Sequence, residues 1–144
     1  MGPPTKGDGM SYPIIKIEGI GPAMAEKLKA TGISTTDALL EAAKTPKGRR
    51  ELAEKSTIPE RNILKWANMA DLMRIKGVGE EYSELLEAAG VDTVKELKMR
   101  NVANLTKAMA EVNETRKLVR ALPAESVVAR WVEEAKTLPP MLTY

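Results

Sequence analysis

The 144-residue chain has no cysteine, no histidine and no phenylalanine. Without Cys there are no disulfides and no thiolate metal sites, and the redox compartment stays open. Without His the commonest general base and metal ligand is missing. Two Trp and three Tyr are the whole aromatic complement, so the core must be aliphatic. No apolar run approaches the roughly 20 residues that span a bilayer, and the N-terminus shows no apolar signal-peptide core. A cytoplasmic chain with no membrane partner is expected. Charge of one sign is scarce as well: 22 basic residues face 20 acidic ones, a net charge of +2. Nonspecific nucleic-acid binders are usually more basic overall, so any such contact here must be local.

What remains is rich in Ala, Glu, Lys and Leu, with scattered Met, a composition that favours helices. The Met residues read as core filler. Residues 1–9 hold three Gly and two Pro without apolar periodicity, and read as a flexible leader or tag. Residues 10–73 and 74–138 then read as two copies of one unit, followed by a tail at 139–144 that its prolines keep from being helical. Copy one contains Ile17-Glu18-Gly19-Ile20-Gly21 and later Gly32-Ile33; copy two contains Ile75-Lys76-Gly77-Val78-Gly79 and later Gly90-Val91. Both glycine landmarks are 58 positions apart (77 − 19 and 90 − 32), but Trp66 and Trp131 are 65 apart (131 − 66). Copy two therefore carries about seven extra residues, placed near 101–120.

Caps and period set the helices. Pro22 suits a first helical position, and Gly32 suits the left-handed stop after about Thr31. The matching helix runs from about Glu80 to Ala89, closed by Gly90. Thr93 with Glu96 forms a capping box, with Thr35 as its counterpart. Thr45-Pro46 opens another helix. Pro59 opens a longer one reaching about Met73, with Ile63, Trp66, Ala67, Ala70 and Met73 as its buried stripe. No segment alternates with period two, so no sheet is expected. The fold class is all-α: two diverged repeats forming one compact unit.

Gly-Ile-Gly and Gly-Val-Gly each lead directly into a helix. Glycine permits the tight turn, and the turn leaves several N–H groups directed outward at a helix N-terminus, a small site for one phosphate oxygen. Recognition of that kind reads no base. This repeated pattern resembles the helix-hairpin-helix motifs of DNA repair proteins, and the stretch from Ile15 to Ala23 is similar to the cation-binding hairpin of DNA polymerase beta. The resemblance implies that the N–H groups of Gly19, Gly21, Ala23 and Met24 face a phosphate, with Lys27 beside them. It also implies that the carbonyls of Ile15, Ile17 and Ile20 hold a monovalent cation, the one cofactor expected. Gly77 and Gly79 form the weaker second hairpin, because Glu80 and Glu81 occupy or repel an anion there. Over about residues 10–144 the chain also resembles the tandem hairpin proteins of the bacterial DUF4332 family, which supplies no activity.

Other features have plain readings. Residues 50–66 resemble a helix-turn-helix offering Arg61, Asn62 and Lys65 to a major groove, or form a simple helical corner. Thr57 stands where glycine is usual. Lys16, Lys27 and Lys29, and the cluster Lys44, Lys47, Arg49 and Arg50, either assist phosphate contact or form solvated surface. Trp66 and Trp131 lie in apolar stripes and are expected to be buried. Glu80/Glu81 and Glu133/Glu134 are adjacent pairs that do not share a helix face, and Ser and Thr lack a His partner, so no catalysis is expected. Pro13 limits any helix before the first hairpin; the last helix, about Pro123 to Leu138, is expected to complete that hairpin, in cis or from a second subunit. Two functions remain: sequence-independent DNA binding, weak and centred on the first hairpin, or a protein-interaction module using the hairpins as architecture. Sequence leaves the oligomeric state open.

Overall fold

The computed structural model describes residues 11–144; the leader expected over residues 1–9 lies outside them. The described residues contain eight α-helices and no strand, an all-α fold, with a single isolated bridge between Pro13 and Thr35. The first copy opens on one 3-10 turn, Ile14–Lys16, behind Pro13. It continues as α1 (Pro22–Ala30), α2 (Thr36–Ala42), α3 (Pro46–Ser56) and α4 (Glu60–Leu72). The second copy supplies α5 (Glu80–Ala88), α6 (Val94–Leu97), α7 (Val102–Arg116) and α8 (Glu125–Thr137).

The two copies share their backbone punctuation. Gly19 and Gly77 have φ of +98° and +92°; Gly32 and Gly90 have +93° and +99°. These values lie where a side chain is strained, which is why the sequence keeps glycine 58 positions apart at both places. Thr35 and Thr93 cap α2 and α6 by accepting from the N–H groups of Ala38 and Glu96, at 3.1 and 3.3 Å. The capping box is half formed: Glu96 reaches past Thr93 and accepts from the Asp92 N–H at 2.7 Å. The additional residues of copy two fall in α7, which has 15 residues against 11 in α3, and in the connection that follows it. Both helices end on a left-handed residue, Thr57 at φ 63° and Lys117 at φ 52°.

Two apolar clusters meet at the end of α4. One runs from Ile14 to Met73, the other from Leu72 to Ala135. Trp66 and Trp131 are buried in them, as their stripes require. The methionines divide: Met69, Met73 and Met109 fill core, but Met99 is 77% exposed, so core filling does not account for it.

One expectation is overturned. Within the chain the last helix does not complete the first hairpin: α8 packs on α6 and α7, and Trp131 lies against Gly77 of the second turn. The element that closes the first turn is α4, whose Trp66 lies against Gly19. Each copy is thus closed by its own last helix. Helix α4 both closes copy one and leads into copy two, its Trp66 packing in the first cluster and its Leu72 in the second, so copy one needs no helix from the end of the chain.

Copy two lacks the extended entry of copy one, and one side chain makes good the difference. In copy one the Thr36 N–H donates to the Tyr12 carbonyl at 2.8 Å. In copy two the equivalent amide, Val94, donates to Asp71 Oδ2 at 2.8 Å, because the preceding chain is helical there and offers no extended carbonyl. The tail at 139–144 is non-helical. It returns from α8 to the first copy, where Leu142 enters the first cluster.

Candidate functional site

The first glycine turn is anchored from below and open above. Ile14, Ile17 and Ile20 are buried, while Glu18, Gly19, Gly21, Pro22 and Ala23 are exposed. Within the turn the Ile17 N–H donates to Ile14 O at 3.0 Å, and the Ile20 N–H to Ile17 O at 3.1 Å. Helix α1 makes its first bond only at Ala25, to Gly21 O at 2.9 Å. Hence the amides of Gly19, Gly21, Ala23 and Met24 reach no acceptor among the described residues. Unpaired N–H groups at a helix start carry partial positive charge, and the first turn of α1 holds no acidic residue. Pro22 contributes no amide of its own.

Of the carbonyls considered for a cation, Ile17 O already accepts from Ile20; those of Ile15 and Ile20 accept from no amide among the described residues. All three belong to one short turn. Lys16, Lys27 and Lys29 are exposed nearby in sequence. Negative charge is present too. Glu18 is exposed within the turn itself, and the carboxyl of Glu84 on α5 is raised, first by partial burial and then by the charge of Glu18.

The second turn has the same backbone and different occupancy. Its Lys76 N–H donates to both carboxylate oxygens of Glu134 on α8, at 3.2 and 3.3 Å. Glu80 and Glu81 stand in the first turn of α5. The buried indole N–H of Trp131 has no acceptor among the described residues, and the Trp131 ring packs against Tyr82 with centroids 5.3 Å apart. Gly77 and Gly79 therefore sit in a turn crowded by three carboxylates. Sequence pointed to Glu80 and Glu81; Glu134 was missed because its approach depends on how α8 docks.

The structure separates the other candidates. Glu133 pairs with Lys136 at 2.9 Å while Glu134 turns to the backbone, so that pair shares no site. Among the described residues no group of three acidic side chains is placed to hold a metal ion. Arg61 and Lys65 are exposed on α4 and Asn62 is half-buried. Sequence reasoning also missed a buried junction: Arg74 pairs with Asp71 at 2.8 Å and donates to the Pro139 carbonyl at 2.8 Å. Burial raises the Asp71 carboxyl, and Arg74 pulls it back down.

Among the described residues, no helix is long and apolar enough to cross a membrane. No curated protein and no solved structure gives a significant match to the chain. One family model does match, over residues 18–138, and the chain accordingly belongs to that family, the domain of unknown function DUF4332.

Proposed function

We propose that the chain is a noncatalytic, sequence-independent DNA-binding module of the helix-hairpin-helix kind, whose first turn takes a backbone phosphate through main-chain amides. The observation that carries this reading is the set of four amides, at Gly19, Gly21, Ala23 and Met24, without acceptors at an exposed helix start. A phosphate oxygen satisfies such donors and meets the positive end of the α1 dipole. Lys27 adds to the field as a mobile point charge. A monovalent cation on the carbonyls of Ile15, Ile17 and Ile20 would add positive charge beneath the phosphate. The second turn, with Gly77 and Gly79, contributes little, because Glu80, Glu81 and Glu134 stand where an anion would approach.

Binding of this type is carried by counterion release. A titration of single- and double-stranded DNA across a salt series tests it: affinity should fall with salt, without preference among sequences. Affinity that ignores salt, or no binding at low salt, overturns the reading. The carboxylates at the second turn favour a second reading, a protein-interaction module in which both turns serve only as architecture.

A further inference from the structure

An open groove of about 660 Å³ lies where the two copies meet, with Leu64 and Asn68 of α4 on the side of copy one and Lys95 and Glu96 of α6 on the side of copy two. Met99 and Tyr144 line it as well. Among the described residues four large apolar side chains are exposed, Ile15, Met99, Leu122 and Tyr144, and two of them meet at this groove. Met99 is 77% exposed and Tyr144 69%. Single exposed apolar residues are ordinary surface; two at one opening, over the aliphatic side chain of Leu64, make a patch.

The charges at the groove are balanced in sign and unpaired. Lys95 and Arg100 line it, and so do Asp92 and Glu96. None of the four forms an ion pair among the described residues. Burial raises the Asp92 carboxyl first, and the charges of Glu96 and Glu87 raise it further, so the acidic side of the rim has no cation to offset it. A partner of one sign, whether nucleic acid or a strongly basic or acidic peptide, meets repulsion from half of this rim. A second copy of the chain does not. In a two-fold contact one patch faces the same patch, so bases meet acids, and a side chain that projects beside a hollow meets the hollow of the other copy. A net charge of +2 leaves little general repulsion between two copies.

We propose that this face is the interface of a two-fold dimer, in which Met99 of each copy enters the groove of the other, against Leu64 and Tyr144, and Lys95 of each copy pairs with Glu96 of the other. The groove is small beside the area that tight interfaces bury, so the dimer is a weak one, with a dissociation constant on the order of micromolar or above. Neither Gly19 nor Gly77 belongs to this face, so the inference stands whether or not the chain binds DNA.

The test is analytical ultracentrifugation of the full chain from about 1 μM to about 1 mM, a range that spans weak association. The native chain should pass from monomer to dimer and no further, because a two-fold contact closes on itself. Met99→Ala, at an exposed position outside the core, should weaken the dimer about tenfold. Lys95→Glu and Glu96→Lys, also at exposed positions, should each abolish it alone by setting like charges across the axis. An equimolar mixture of these two variants should dimerise again, because the acidic face of one then meets the basic face of the other. Circular dichroism checks that each variant keeps its helices. That rescue separates an interface from a loss of fold. A native chain that stays monomeric throughout, a Met99→Ala chain that associates as the native one does, or a mixture that fails to assemble would each overturn the proposal.

Discussion

The indole nitrogen of Trp66 lies over Gly19, 3.1 Å from where a β-carbon on that glycine would stand. Trp131 and Gly77 repeat the arrangement at 3.5 Å. Two demands therefore meet at Gly19: a φ of +98° and a ring pressed close to the backbone. Gly19→Ala should cost about 1–3 kcal/mol for the left-handed backbone, with a further loss as Trp66 shifts. Gly77→Ala meets ordinary contact and should cost only the backbone strain. Urea denaturation of the two variants tests the order; a larger loss at Gly77 contradicts it.

Because Trp66 closes the first turn, its fluorescence should report on that turn. In a Trp131→Phe variant, DNA should change Trp66 emission. In a Trp66→Phe variant, the Trp131 signal should stay nearly constant. The reverse pattern would place binding at the second turn. Truncating either buried indole to Ala should cost about 3–5 kcal/mol.

Asp71 ties the copies together through Arg74 and the Val94 amide. Asp71→Ala leaves a buried guanidinium without its counter-charge, held only by the Pro139 carbonyl, and a buried N–H without a partner, and should cost about 3–5 kcal/mol. Asp71→Ala with Arg74→Met should recover part of that loss, because the stranded charge is removed. A double variant no better than the single one contradicts the pairing.

The same carboxyl sets a pH dependence. Burial raises it above its ordinary 3.8, against the pull of Arg74 and Val94. The folded value exceeds the unfolded one, so the group's contribution is full below about pH 3.8 and is lost as pH rises through the folded value. Asp71→Asn does not titrate. The stability of the native chain relative to this variant should therefore fall as pH rises above about 3.8. A difference that grows with pH contradicts the assignment.

Local rules in the sequence account for much of this architecture. Pro22, Gly32, Thr35, Gly90 and Thr93 each act through neighbours within a few residues, and each sits where its chemistry requires. The repeat offset placed Gly19 against Gly77 and located the additional residues of copy two. What stayed hidden depends on docking. Glu134 meets Lys76 across 58 positions, Arg74 meets Pro139 across 65, and Arg49 meets Thr143 across 94. No periodicity encodes such contacts. Gly48 is a further case: it looks like a weak helix residue, yet a β-carbon there would clash with the Ala42 carbonyl.

Glu18 is exposed within the first turn and opposes an incoming phosphate. Glu18→Gln removes this charge without touching an amide. DNA affinity should rise severalfold at low salt, and the gain should vanish at high salt as screening takes over. Unchanged affinity at low salt would place the phosphate elsewhere.

The most direct test of phosphate capture by the first turn is to give that turn the acidic start of the second. Ala23→Glu puts a carboxylate in the first turn of α1, where Glu81 stands in α5. The measurement is the slope of log affinity against log salt on duplex DNA, for the native chain and the variant. A turn that neutralises one or two phosphates gives a slope on the order of one to two. The account predicts that slope for the native chain, and weaker binding with a shallower slope for Ala23→Glu. Equal affinity and equal slope in the two proteins would contradict it.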